Sequence, residues 1–255
     1  MQRLDATLSK GLMILETLAR ATRPLGISEL ATQLRLSKSN VHRLVSTLRA
    51  TEFVAQEPDR NYRCTMKVWK LGSAVMSHMN LPSLAAPAMH QLARVCRETI
   101  HLSVLDGIKV LYVDKVDSEH PVRAYSERGG NAPIHCVATG KILLAFNYEF
   151  LRGRIATELT RYTERTVTSL EQLDQELAQV RRTGVASNVG EYRDDVGGIA
   201  APVHDPAGRV IAAIGISGPL SRLTRQGMKK YTPAVIEAGK RISEAVNSNK
   251  SAKPD

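Results

Sequence analysis

Cysteine is scarce in this 255-residue chain: Cys64, Cys96 and Cys136 are odd in number, far apart, and in no C-x-x-C or Cys/His cluster with metal-ligand spacing. A disulfide framework and a sequence-encoded metal site are therefore excluded, no cofactor is expected, and the thiols read as reduced and structural. Long apolar runs are missing as well. No stretch approaches the ~20 residues that span a bilayer, and the opening MQRLDATLSK has no signal-peptide core, so a cytoplasmic protein with no membrane partner is expected. Acidic residues are in deficit, 25 against 35 Lys and Arg, for a net charge of +10. The deficit is uneven: residues 1–80 hold 12 basic and 6 acidic side chains, net +6, whereas 81–255 hold 23 and 19, net +4. Such an excess suits a polyanion met by the N-terminal third, through phosphate neutralisation and counterion release.

What is present there is ISELATQLRLSKSNVHRLVSTLR, residues 27–49, which reads as two short helices joined by a tight turn. Ser28 is the expected cap of the first, which runs through Leu30, Ala31 and Leu34, with Leu36 filling the turn. Ser37 caps the second, where Val41, Leu44, Val45 and Leu48 form one apolar stripe at i, i+3, i+4, i+7 spacing. Opposite them fall Ser39, Arg43 and Ser46, flanked by Lys38, Asn40, His42, Thr47 and Arg49. A polar outer face is usually only a solvated one. Here it holds short or forked donors of the kind that read base edges and phosphates, and 27–49 carries Arg35, Lys38, Arg43 and Arg49 against Glu29 alone. Ser37 to Arg49 is thus the expected recognition helix for double-stranded DNA.

Before it, Leu8, Leu12, Leu15, Leu18 and Ala19 suggest a supporting helix. After it, Phe53–Gln56 and Tyr62–Thr65 read as a hairpin across a Pro-Asp turn, a wing that would present Arg60, Asn61 and Arg63 to the backbone or minor groove. Helical spacing returns at Val68, Leu71, Val75 and Met79, with Trp69 as an expected packing anchor, until Leu81-Pro82-Ser83 interrupts it. Beyond lie a helix from Pro87 to Arg97, strands Ile100–Leu105 and Val110–Val116, a helix Thr139–Phe146, a helix from a Ser169/Gln172 cap to Gly184, strands Ile199–Val203 and Val210–Ile216, and a last helix from about Gln226. Helices and antiparallel strands in this order make an α+β domain.

Signs of catalysis are poor. Gly140-Lys141 resembles a phosphate loop, but His135 stands where its first glycine belongs and Ile142 where its Ser or Thr belongs. Asp194 and Asp195, if in a strand, point to opposite faces and cannot act as an acid and base pair. His101, His120, His135 and His204 have no nucleophile partner recognisable in sequence.

LSKGLMILETLA, ISELATQL..SKSNVHRLVSTL, the wing and KLG at 70–72 resemble the N-terminal domain of the IclR family of bacterial transcription regulators. APIHCVATGKILLA at 132–145 and GVASNVGEYRDDVGGIAAPVHDPAGRVIAAIGISGP at 184–219 resemble its effector-binding domain. The resemblance implies a winged helix-turn-helix over 1–65, a linker helix over 66–82, a GAF-like sensor domain with an antiparallel sheet over 83–248 and a polar tail, 249–255. It implies homodimers or tetramers, no enzyme, and an effector-responsive regulator of catabolic genes that answers to a small organic acid. Its ligand-facing positions fall on the amides of Ala138 and Thr139, on Asn188 where the family is usually acidic, on Gly198 where Cys is frequent, and on Gly215 and Ser217 where two serines are usual. Glycine at 198 and 215 suggests an enlarged site for an aromatic carboxylate, or else close strand packing. An enzyme with a DNA-binding appendage and a ligand-free architectural DNA binder are the alternatives.

Overall fold

The computed structural model describes residues 5–251. The chain divides into two compact units, the first ending at Asn80 and the second beginning at Leu81.

In the first unit, α1 (Ala6–Arg20) is capped by Asp5, whose carboxylate accepts from the Leu8 amide at 2.7 Å. Only part of its apolar surface is used inside the unit. Ile14 and Leu18 are buried, whereas Leu8, Leu12 and Ala19 of the expected stripe are exposed. The helix is apolar on two faces, and spacing alone could not tell which one meets the core. Next, α2 (Ile27–Leu34) starts two residues earlier than expected: Gly26 is the cap, with its amide held by Glu29 at 3.0 Å, so Ser28 lies inside the helix. Arg35, in the left-handed region at φ 53°, ends α2, and the Leu36 amide returns to the Ala31 carbonyl at 3.0 Å. Helix α3 (Lys38–Ala50) follows, with Ser37 as its cap, accepting from the Asn40 amide at 3.3 Å.

Strands β1 (Val54–Gln56) and β2 (Tyr62–Cys64) form the expected hairpin, antiparallel with Ala55 opposite Arg63. Leu25 bridges to Tyr62, so the wing is pinned beside the α1–α2 connection. Val41, Leu44, Val45, Leu30, Ile14 and Val54 share one core, each side chain worth ~1.5–3 kcal/mol when fully removed from water. Helix α4 (Met66–Met79) ends at Asn80 with φ 40°. Trp69 does not anchor the wing: it is 63% exposed, on the solvent side of α4. The side chains of Val75 and Met79, and tail residues 252–255, lie outside the described residues.

The second unit opens with α5 (Leu81–Cys96), not with an interruption at Leu81-Pro82-Ser83. Proline in a first helical turn forfeits no hydrogen bond, because that amide has no partner there anyway. So Pro82 starts the helix that sequence breakers seemed to forbid, and Pro87 lies inside it.

A six-stranded antiparallel sheet carries the unit, in the order β5-β4-β3-β8-β7-β6. Its strands are β3 (Thr99–Asp106), β4 (Lys109–Val116), β5 (Asn131–Pro133), β6 (Ala186–Val189), β7 (Val196–His204) and β8 (Val210–Pro219). Helices α6 (Ala138–Phe146), α7 (Tyr148–Ile155) and α8 (Leu170–Thr183) belong to the core on one face, with Ala200 and Ala213 of the sheet. Helix α9 (Arg225–Ser251) and α5 cover the other face, where Gly239 lets α9 approach the sheet: a Cβ there would stand 2.6 Å from the Pro202 carbonyl. Asp194 and Asp195 occupy the turn entering β7, not a strand.

Candidate functional site

Helix α3 turns Lys38, Ser39, His42, Arg43, Ser46, Thr47 and Arg49 to solvent, and Ser37 at its cap is exposed too. Asn40 is half-buried, its Oδ1 enclosed and without a partner, so it stands apart from the exposed row. Arg49 reaches across to the wing and donates to Gln56 Oε1 at 2.8 Å. Within the wing, Asn61 is held by Asp59 at 2.8 Å and Arg63 forms an ion pair with Glu57. Arg60 is exposed at the tip with φ 67°. Among the described residues no protein group pairs with the side-chain cations of Lys38, Arg43 and Arg60. The face of α3 and the wing thus presents Lys38, Arg43 and Arg60 as uncommitted positive charges, Arg49 with its charge intact but its fork engaged by the neutral Gln56, and Arg63 partly neutralised by Glu57.

The second unit contains a cavity of about 240 Å3 beneath the start of α6. Ala138, Thr139, Asn188, Gly198, Gly215 and Ser217 all line it. Sheet register explains why they meet. Asn188, Gly198 and Ser217 are consecutive cross-strand partners on β6, β7 and β8, and Ala200, Gly215 and His101 form the neighbouring row on β7, β8 and β3. Partners in register share a face. Helix α6 starts over that face with Val137 as its cap and no side chain satisfying its first turn, leaving amide donors and the positive end of the helix dipole beside the cavity.

The other walls were not legible in sequence. Tyr112 comes from β4, and Tyr125, Ser126 and Glu127 from the irregular segment before β5; Tyr192 and Arg193 precede β7. His101 Nε2 and Ser126 Oγ are 2.6 Å apart, Lys115 Nζ donates to the Ser126 carbonyl at 2.7 Å, and Arg193 donates to the Tyr125 carbonyl at 3.2 Å. These bonds hold the segment across the opening. Burial, reinforced by the charge of Lys115, lowers the His101 imidazole to about 4, and burial pushes the Tyr112 phenol up to about 12. Both rings are neutral near pH 7 and stack with centroids 4.5 Å apart.

Glycine at 198 and 215 does not enlarge the cavity as expected. A Cβ on Gly198 would lie 2.9 Å from the Ile216 carbonyl and 2.7 Å from Asn188 Oδ1; one on Gly215 would lie 2.8 Å from Thr139 Cγ2 and 3.0 Å from the Ile199 carbonyl. The space a side chain would need is filled by protein, so close packing is the reason for glycine at both positions. Lys141, of the rejected phosphate-loop motif, is buried and paired with Glu176 at 2.8 Å and Glu191 at 2.6 Å, so it offers no charge to a ligand. Burial holds the Glu191 carboxyl above its usual range, and Lys141 opposes that rise. Among the described residues no group of three His, Cys, Asp or Glu could hold a metal, and no helix is long and apolar enough to cross a membrane.

Comparison with known proteins matches residues 7–58 to the IclR helix-turn-helix domain and residues 73–244 to the bacterial transcriptional regulator IclR C-terminal domain. The chain belongs to the IclR family. Among its relatives, the HTH-type transcriptional regulator KdgR of Escherichia coli is 36% identical over 87% of this chain and 85% of its own length. The HTH-type transcriptional repressor AllR of Salmonella typhimurium is 31% identical over 94% and 89%. The crystal structure of Thermotoga maritima IclR superposes with a TM-score of 0.77 at 27% identity, covering 94% of this chain and 98% of that one. An IclR homolog from Microbacterium hydrocarbonoxydans complexed with 4-hydroxybenzoate gives 0.82 at 25%, covering 94% and 99%. These relatives are regulators, not enzymes, and this family member is a DNA-binding transcription regulator built on the same α+β plan. The His101–Ser126 contact accordingly belongs to the cavity wall.

Proposed function

We propose that this regulator grips double-stranded operator DNA, as a homodimer or tetramer in the cytoplasm, through α3 and the wing, and that a small organic acid in the cavity controls catabolic genes. Arg43 is the base reader. Lys38, Arg60 and, more weakly, Arg63 neutralise phosphates, with Ser37, Ser39, His42, Ser46, Thr47, Arg49 and Asn61 along the same edge and the half-buried Asn40 set back from it. The acid's carboxylate sits at the amides of Ala138 and Thr139, and Asn188, Gly198, Gly215 and Ser217 surround the rest of the ligand.

One observation carries the ligand half of this reading: Asn188 is 5% exposed, lines the cavity beside the uncapped start of α6, and has no hydrogen-bond partner among the described residues. The amide is not sealed in the protein but faces the cavity, so a ligand that displaces water from it must supply a hydrogen bond in turn. The 4-hydroxybenzoate bound by one structural relative makes an aromatic carboxylate one candidate. Steric room left by glycine does not support it here, since that room is filled.

The test is a thermal-shift screen of organic acids followed by gel shifts on the protein's own promoter region. A ligand at 100 times its Kd should stabilise its domain by about 2.7 kcal/mol and change operator affinity. Arg43→Ala should weaken operator binding by ~1–3 kcal/mol with no change in melting temperature. Undiminished operator binding by that variant refutes the assigned face of α3.

A further inference from the structure

Among the described residues, four polar side chains on the sheet and α6 line the cavity without a hydrogen-bond partner: the Tyr112 phenol, the Thr139 hydroxyl, the Asn188 amide and the Ser217 hydroxyl. Of the other hydrogen-bonding side chains in the walls, the Tyr192 phenol before β7 is likewise without a partner, whereas His101 is bonded to Ser126, Tyr125 donates to Glu127, Asn131 donates to Asp106 and Arg193 donates to the Tyr125 carbonyl. The four are spread along the site. Asn188 and Ser217 stand two strands apart, ~10 Å at the usual inter-strand spacing, with Thr139 on α6 above and Tyr112 on β4 toward the far side of the sheet. From the same geometry we infer that the effector is an open-chain polyhydroxy carboxylate, an aldonate-type sugar acid, with its carboxylate at α6 and its hydroxyls on these four groups. The inference rests on the proposed carboxylate site and adds the chemistry of the remainder of the ligand.

Water solvates the four groups in an empty cavity, so a ligand must replace what it displaces. An alkyl chain or a bare aromatic ring would displace that water and leave them unpaired, at a penalty of roughly 5- to 150-fold in affinity for each group stranded. A monohydroxylated ring offers one hydroxyl beyond its carboxylate, and a short 2-oxo acid offers none. Hydroxyls spaced along a carbon chain meet all four, because each hydroxyl both donates and accepts. Asn188 fits the same ligand: a neutral amide does not face the incoming carboxylate with like charge, and it serves a hydroxyl as donor or acceptor.

The experiment is calorimetric titration of the full-length protein with gluconate, galactonate and mannonate, and with hexanoate, 4-hydroxybenzoate and pyruvate as probes lacking most hydroxyls. The best aldonate should bind at least tenfold more tightly than any of the other three. Tyr112→Phe, which keeps the ring stacked on His101, and Asn188→Leu should each cost the aldonate roughly fivefold or more and leave hexanoate unchanged or improved. Hexanoate, 4-hydroxybenzoate or pyruvate binding as tightly as the best aldonate overturns the inference and leaves the carboxylate site standing. Aldonate binding that both variants leave intact overturns the assignment of these groups. Binding of none of the six acids overturns the carboxylate site and the inference with it.

Discussion

Gly215 is the position where a single added methyl should be most plainly felt. In Gly215→Ala the new Cβ would sit 2.8 Å from Thr139 Cγ2, 3.0 Å from the Ile199 carbonyl and 3.1 Å from Ala200 Cβ, two side chains and a backbone oxygen that are themselves in the packed interior. Overpacking of this kind typically costs 1–3 kcal/mol, against a gain of at most ~1 kcal/mol from the reduced freedom of the unfolded chain. The net loss is then ~0–2 kcal/mol for alanine and nearer 1–3 for serine, whose hydroxyl is added to the same clash. For a unit of this size each kcal/mol moves the midpoint by roughly 2–4 °C, so Gly215→Ser should melt about 2–12 °C lower without ligand. Gly198→Ala meets the Ile216 carbonyl at 2.9 Å and should behave alike. Gly153→Ala is the control: it lies on the exposed side of α7 with nothing within 4 Å of its Cβ, and should be neutral or stabilise by up to ~1 kcal/mol. The assay is a calorimetric melt of each ligand-free variant beside effector titration. An unaltered melting temperature for Gly215→Ser, together with lost effector affinity, would refute the packing account and restore the enlarged site.

Three further outcomes follow from the same structure. Because His101 is held at about 4 in the folded state against about 6.5 unfolded, its neutral form contributes ~3 kcal/mol above pH 6.5 that is lost as the pH falls towards 4; denaturation at pH 7 and 4.5 should show His101→Gln losing less stability between the two than the wild type. Lys141→Met strands the Glu191 carboxylate in the interior and should cost ~3–5 kcal/mol, with Glu191→Gln on top recovering part; a variant as stable as wild type would show the pair to be dispensable. Arg60→Ala should flatten the log-log salt dependence of DNA binding by about one unit, whereas Arg63→Ala, whose charge is shared with Glu57, should change it less; equal slopes for both would remove the role given to that ion pair.

How far the sequence could be read depended on whether an element had one exposed face. Helix α3 did, and its stripe, cap and polar row were all legible; so was the wing, because Pro58, Asp59 and Asn61 mark its turn. Helix α1 is apolar on two faces, so Leu8 and Leu12 counted as core when Ile14 and Leu18 were the buried pair. Strands β7 and β8 are covered on both faces and read as apolar runs, which fixed their existence and not their partners. β5, β6 and α7 were missed because three to eight residues with little alternation carry no periodicity to detect.

The cavity divides along the same line. Its α6 roof and the β6–β8 rows were placed by resemblance to a family; register brings Asn188, Gly198, Gly215 and Ser217 together, and Ala138 and Thr139 lie over them at the start of α6. Its remaining walls depend on β3 pairing with β8 and on a segment with no regular structure, 124–127, held by Lys115, His101 and Arg193. Neither can be inferred from spacing, since a strand's neighbours are set by the whole sheet and a loop's path by its anchors. Glycine shows the same limit from the other side. Loss of a side chain at Gly198 and Gly215 suggests empty volume as long as the neighbouring strands are unknown; once the Ile216 and Ile199 carbonyls are in place, the same glycines are what lets the sheet and α6 close. Ligand choice therefore rests on the polar groups left unpaired around the cavity, and on Tyr112 most of all, since neither spacing nor resemblance pointed to it.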